Sequence, residues 1–201
     1  MPILLPYQYV EHRNIIKMAK PIVFLLGPVR GGGDWQADAS ERIFDIEPDA
    51  IVVCPCRWDE SHRLSRFFFN LPIEKARGQQ LSWERIYLQY AGIGHSSLSE
   101  PFYSPGMPES RVRGCILGWL PPESIDKPHP GPEPYAMDTR GELGEWRVKV
   151  RLYNARVALG SSGEFYGLSQ IQRNYSAEVG YDFPIHKTLT DTVAAACALA
   201  A

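Results

Sequence analysis

Four short apolar runs constrain the architecture of this chain most tightly: "PIVFLLGPV" (21–29), "AIVVCPCRW" (50–58), "GCILGWLP" (114–121) and "RVALGSS" (156–162). The first is apolar continuously rather than alternately, so both of its faces must be buried, as in a central strand of a parallel sheet. The others read as further strands of the same sheet, stopped by Gly, Pro or polar residues. Helical patterns stand between them. "WQADASERIFDI" (35–46) places Ala39, Ile43 and Ile46 on one stripe, with Asp34 in position to cap. "LSWERIYLQYAG" (81–92) spaces Trp83, Ile86, Tyr87 and Tyr90 helically behind Ser82 as a cap. A third helix is expected from Glu142 or slightly earlier to about Asn154. A last helix follows "TLTD" (188–191), where Thr188 and Asp191 fit a capping box. Strand and helix alternate, which predicts an α/β three-layer sandwich with a mostly parallel sheet.

The intervening stretches differ in kind. Residues 59–80 read as an ordered loop around "RFFFN" with room for a short helix. Residues 92–113 lack an apolar period, and long loops inside compact domains are often lids or binding loops; residues 122–138 read as a proline-rich crossover loop leading to Thr139. Residues 164–180 fit a short helix or an extended segment. The domain proper is expected at 21–201, preceded by an N-terminal extension at 1–20. Met18 begins "MAKPIVFLLGP", which itself resembles a protein start. Residues 1–17 therefore read either as an extension packing on the domain or as a start-site artefact.

The chain has 201 residues, enough for one domain with a full core, and a formal net charge of −2, which offers no broad basic field to a nucleic acid polymer or an anionic membrane. Small ligands need only local charge and remain open. Four cysteines, two of them as Cys54-Pro55-Cys56, read as small buried hydrophobes rather than a metal or redox pair, and their use points to a reducing cytoplasm. Five scattered histidines show no metal-ligand spacing, so neither a metal nor a cofactor is expected. There is no G-x-S-x-G elbow, which argues against a serine hydrolase. The aromatic knot Phe67 to Phe69 and the long insertion suggest a homo-oligomer.

The chemistry-bearing candidates are carboxylates. Glu142, in "TRGELGEW" (139–146), is expected just beyond a strand end in the first turn of a helix, where free N–H groups favour its ionised form. Gly141 and Gly144 would let a sugar approach it. The alternative is an acid that merely complements the helix dipole. Glu84 is a second acid of the same kind, a proton shuttle or hydroxyl holder, or else a solvated partner of Arg85 or Lys75. Asp138 is a base or hydroxyl holder, or a cap. The loop "GPVRGGGDW" (27–35) suits a phosphate, helped by Arg30, or is simply a tight turn. Trp35 and Arg57 sit where strand-end side chains line a cleft, or are ordinary packing and surface residues.

Taken in order, "FLLGPVRGGGDWQADA", "VVCPCRW", "LSWERIYLQYA", "GCILGWLP" and "TRGELGEW" resemble the nucleoside 2-deoxyribosyltransferase-like family over residues 21–160. The resemblance implies a flavodoxin-like parallel sheet of about five strands with helices on both faces. It implies Glu142 as a nucleophile toward C1′ of a 2′-deoxynucleoside and Glu84 as the acid that moves protons at the departing base. It also implies a substrate site that includes Gly27, Pro28, Asp34, Trp35, Arg57, Asp138 and Gly141. The implied partners are nucleosides and nucleobases, with further copies of the chain. Departures are present. Asp138 stands near, not at, the spacing of the family's base-holding acid, and an acid before the third strand is missing. Phe24 replaces a tyrosine found in some members.

Three functions follow from this reading. The first is base exchange through a glycosyl-glutamate ester. The second is hydrolysis, as a nucleoside or nucleoside 5′-monophosphate N-glycosidase. The third is a nucleotide-binding sensor without turnover, against which the presence of both Glu84 and Glu142 argues.

Overall fold

A computed structural model describes residues 2–72, 80–94 and 112–201. Most of the insertion at 92–113, and the end of the 59–80 loop, lie outside the described residues. Six strands form one all-parallel sheet: β1 (Ile3–Leu4), β2 (Ile22–Leu26), β3 (Ile51–Val53), β4 (Gly114–Trp119), β5 (Val157–Gly160) and β6 (Ile185–His186), in the spatial order β1-β3-β2-β4-β5-β6. The helices are α1 (His12–Met18), α2 (Trp35–Ile46), α3 (Gln80–Ile93), α4 (Met137–Tyr153), α5 (Leu168–Val179) and α6 (Leu189–Ala200). Without β1 the order is that of a flavodoxin-like doubly wound sheet. The described residues thus form six strands, not about five. The additional strand comes from the segment before Met18.

The apolar runs work as their composition requires. Along β2, Ile22, Phe24 and Leu26 enter one core with Trp83 and Tyr87 of α3, Trp146 of α4 and Tyr175 of α5. Val23 and Leu25 enter the other, with Ile43 of α2 and Val193 of α6. Every residue of β2 and β4 is buried. A parallel sheet covered on both faces leaves no polar side to alternate with.

Residues 2–18 pack on the domain. Phe69 N donates to Ile3 O (2.8 Å), Val52 N to Pro2 O (3.0 Å) and Cys54 N to Leu4 O (3.0 Å). Trp83 Nε1 donates to Gln8 O (2.8 Å), and Ile15 is buried in the same core as β2. Phe67, Phe68 and Phe69 are half-buried and pack against the chain's own two cores.

Several local readings shift. Ile46 is exposed, and Phe44 takes its place on the buried stripe of α2. Ser82 is the third residue of α3, not its cap. Residues 168–179 settle as a helix. At α6, Thr188 Oγ1 accepts from Asp191 N (3.1 Å) and donates to Asp191 Oδ2 (2.7 Å), so the two side chains bond to one another. All four cysteines are buried and free. Among the described residues no helix is long and apolar enough to cross a membrane.

Candidate active site

The chain runs from β2 through α2 to β3 on one side, then crosses to β4 on the other side of β2. This reversal opens a crevice beyond the carboxyl ends of the strands, where ligands of such sheets bind. A cavity of about 780 Å³ occupies it, within the range of small-molecule sites. Its wall includes Gly27, Pro28 and Arg30 after β2, Pro55 and Arg57 after β3, Gln80, Leu81 and Glu84 of α3, and His129 and Glu133 of the proline-rich crossover. Ala136, Met137, Asp138, Thr139 and Glu142 at the start of α4 also line it.

The glycine loop has steric reasons for its sequence. A Cβ on Gly27 would collide with the carbonyl oxygen of Trp119 and stand 2.7 Å from Trp35 Cζ2. On Gly31, at φ +76°, it would stand 2.9 Å from His129 N, because the crossover lies against the loop and Ser124 N donates to Gly31 O (2.7 Å). Trp35 does not line the cavity. It is buried beneath the loop, and its Nε1 and Gln36 Nε2 both donate to Pro28 O at 3.0 Å. Asp34 is exposed at the N-cap position of α2 without a side-chain cap bond and lies 3.8 Å from Arg63. Trp35 therefore shapes the site from below, and Asp34 is outside it.

Helix α4 begins at Met137, earlier than Gly141 suggests. Glu142 is its sixth residue and sits in the second turn, beyond the free N–H groups of the first. Its expected stabilisation as an anion fails accordingly. Burial pushes its carboxyl up to about 8, and the negative charges of Glu84, Asp138 and Glu145 add to the rise. Among the described residues no hydrogen bond or ion pair offsets this. Asp138 and Glu142 are four residues apart on the helix and share a face. Gly141 and Gly144 are exposed; a Cβ on either meets nothing within 4 Å, and Gly141 is not on the cavity wall. Neither glycine is needed to admit a ligand.

Glu84 is held differently. Burial raises its pKa and Asp138 adds to this, but the Gln80 hydrogen bond and the Arg57 charge oppose the rise. Gln80 Nε2 donates to Glu84 Oε1 (2.7 Å) and to Pro55 O (3.2 Å). Arg57 Nη2 and Nε donate to Gln80 Oε1 at 2.8 and 3.1 Å.

The structure thus brings Gly27, Pro28, Arg57, Glu84, Asp138 and Glu142 to one cavity and leaves Asp34, Trp35 and Gly141 off its wall. Sequence reasoning missed Tyr7, Gln80 and His129. Gln80 lies four residues before Glu84, a helical spacing that was available as a signal; Tyr7 meets Arg57 only through the tertiary fold. Among the described residues no group of three or more His, Cys, Asp and Glu side chains is arranged to hold a metal ion.

Fold and site together define a flavodoxin-like α/β protein with a carboxylate-lined crevice at the switch point of its sheet. No protein-family model matches the chain, and no curated protein matches it in sequence.

Proposed function

We propose that the protein exchanges the bases of 2′-deoxynucleosides through a covalent glycosyl-glutamate intermediate. The observation that carries this reading is the convergence of Glu84, Asp138 and Glu142 on one small-molecule cavity. The Glu142 carboxylate attacks C1′. As its bond to C1′ forms, the C1′–N bond breaks, and the electron pair leaves with the base nitrogen. Glu84 gives that nitrogen its proton. An incoming base then attacks C1′ through nitrogen, the ester bond returns its electron pair to Glu142, and Glu84 recovers a proton from the new base. Two inversions retain the β configuration.

The reaction needs the charge on Glu142 and the proton on Glu84. Burial and the neighbouring carboxylates favour the proton on Glu142 at neutral pH. A sugar hydroxyl donating to Glu142 stabilises its ionised form and corrects the balance on binding.

The test is incubation with a deoxynucleoside and a different free base, followed by chromatography. A new nucleoside is the expected product. Free base alone moves the assignment to an N-glycosidase, and for that alternative Arg30, Arg57 and His129 on the same wall suit a 5′-phosphate. Binding without either product points to a sensor. Deoxynucleosides are expected to exceed ribonucleosides in kcat/KM by about ten- to a hundredfold, because an unpaired buried 2′-hydroxyl costs roughly 1–3 kcal/mol; equal values for deoxyadenosine and adenosine reject the deoxyribosyl reading. The proposal includes a cytoplasmic site of action, in keeping with four buried free thiols. It also includes self-assembly, for which the exposed Met137, Val148 and Leu152 on α4 offer an apolar surface. Light scattering that returns a monomer removes that part.

A further inference from the structure

Glu84 is the end of a chain of hydrogen bonds that begins in the N-terminal segment. Immediately after β1 the backbone turns, with Gln8 N donating to Leu5 O (3.1 Å). Tyr7 lies in this turn at φ +67°, in the left-handed region that a residue with a side chain rarely adopts. The conformation directs Tyr7 onto Arg57. Arg57 Nη2 donates to Tyr7 Oη (2.9 Å), and the guanidinium lies 5.4 Å from the ring centroid. The same guanidinium donates twice to Gln80 Oε1, and Gln80 Nε2 donates to Glu84 Oε1.

Donor and acceptor chemistry allows this chain one orientation. Arg57 can only donate, so the Gln80 amide must turn its oxygen toward Arg57. Its nitrogen then faces two acceptors, Pro55 O and Glu84 Oε1. Glu84 Oε1 is thereby fixed as an acceptor, and any proton on this carboxyl resides on Oε2.

We propose that Tyr7, Arg57 and Gln80 are positioning residues that hold Glu84 through Oε1 and reserve Oε2 for the proton exchanged with the base. This rests on the base-exchange reading for its chemistry, not for its geometry. The segment before Met18 thus completes the acid of a site whose other parts come from the domain proper. Strain in a backbone turn that aims one side chain at such a chain fits a functional position.

The test separates the two claims by a readout that needs no turnover. In protein labelled with ¹³C at glutamate carboxyls, the Glu84 signal is identified by its loss in Glu84→Gln. It is titrated in a Glu142→Gln background, so that the two coupled carboxyls do not share one curve. The groups facing Glu84 across the cavity are Arg57, Asp138 and Glu142, with Arg30, His129 and Glu133 on the same wall. They remain constant between each variant and its parent. Gln80→Leu is expected to move the Glu84 midpoint upward, since a donor to the ionised form is lost. Tyr7→Phe is expected to move it in the same direction by less. In the chain with Glu142 intact, Gln80→Leu lowers kcat for base exchange by roughly ten- to a hundredfold while KM changes little, as expected for a misplaced proton donor. A Glu84 midpoint unmoved in both folded variants overturns the relay. Tyr7→Phe deletes one oxygen and decides the matter alone if Gln80→Leu does not fold. Absence of base exchange in the unsubstituted protein overturns the functional reading, and the midpoints still decide the relay.

Discussion

The two walls of the cavity treat their carboxylates in opposite ways. On the α3 wall, Glu84 accepts from Gln80, which accepts from Arg57, which donates to Tyr7. On the α4 wall, Ala136 stands at the helix start in a left-handed conformation without a side-chain cap, and among the described residues Glu142 has only other carboxylates for electrostatic neighbours. Both groups are partly buried and both are raised in pKa. Only Glu84 has a donor and a cation working against the rise. A carboxylate held by donors is fixed in place and moderated in basicity. One without donors keeps its electron pairs for a ligand at the expense of being hard to ionise. In the protein alone the donors favour the ionised form of Glu84 and burial favours the protonated form of Glu142; the proposed exchange needs the reverse, supplied by substrate contacts, and substitutions on the two walls should separate the two roles.

The largest effect is expected on the bare wall. Glu142→Ala should lower base exchange by several orders of magnitude with the fold intact, because the covalent route disappears. Near-normal exchange by the folded variant would remove the assignment. On the tethered wall, Glu84→Gln should cost about 10²- to 10⁴-fold, the usual contribution of a placed general acid or base. The loss should be smallest for donors whose base leaves readily without a proton. A uniform loss across donors of different leaving ability breaks the contrast between nucleophile and proton carrier.

The difference between the walls was only partly visible in the sequence. β2 and β4 were legible because both faces of each strand are apolar, and Glu84 and Glu142 followed from their places in ordered motifs. β1 and β6 were not legible. Each has two residues, and their strand character comes from pairing with β3 and β5 rather than from their own pattern. The start of α4 was misplaced because Gly141 and the prolines before it read as loop. Leu143 and Trp146 bury the helix firmly enough to carry a glycine in its second turn. That shift removes the first-turn N–H groups expected beside Glu142, and burial, with three neighbouring carboxylates, raises its pKa. Trp35 was expected at a strand end lining the cleft, but it opens α2 and is buried beneath Pro28. The Tyr7–Arg57 and Arg57–Gln80 contacts join residues 50 and 23 positions apart, and no local period records such a pairing.

Asp138 offers a finer test, since its charge bears on both walls. It raises Glu142 and Glu84 alike. Asp138→Asn removes one negative charge and should lower the Glu142 midpoint from about 8. The nucleophile acts when ionised, so the acid limb of kcat/KM should move toward lower pH. A nearby unit charge in a water-like medium is worth ~1 kcal/mol, which corresponds to up to about fivefold in relative activity on that limb. If Asp138 instead holds the base, KM rises at every pH and the limb stays where it is. Steady-state kinetics from about pH 5.5 to about pH 9 distinguish these outcomes.

The smallest effect concerns stability, and its sign follows from linkage. An ordinary glutamate titrates near 4.5, whereas Glu142 in the fold is pushed up to about 8. Below the lower value the carboxyl is protonated in both folded and unfolded chains and contributes nothing. Between the two values the folded chain holds a proton that the unfolded chain has released, so stability falls as pH rises. Above about 8 both forms are ionised and the whole penalty is present. Glu142→Gln keeps the shape and removes the charge. It should leave Tm unchanged near pH 4.5 and raise it increasingly up to about pH 8. Glu142 is partly exposed and solvent screens part of the penalty, leaving about 1–2 kcal/mol, or ~2–8 °C for a chain of this size. Glu84→Gln should gain less over the same range, because Gln80 and Arg57 already stabilise the Glu84 anion. Thermal melts of both variants across pH measure the contrast directly. A gain at Glu84 equal to that at Glu142 would mean that the hydrogen-bonded chain does not distinguish the two walls.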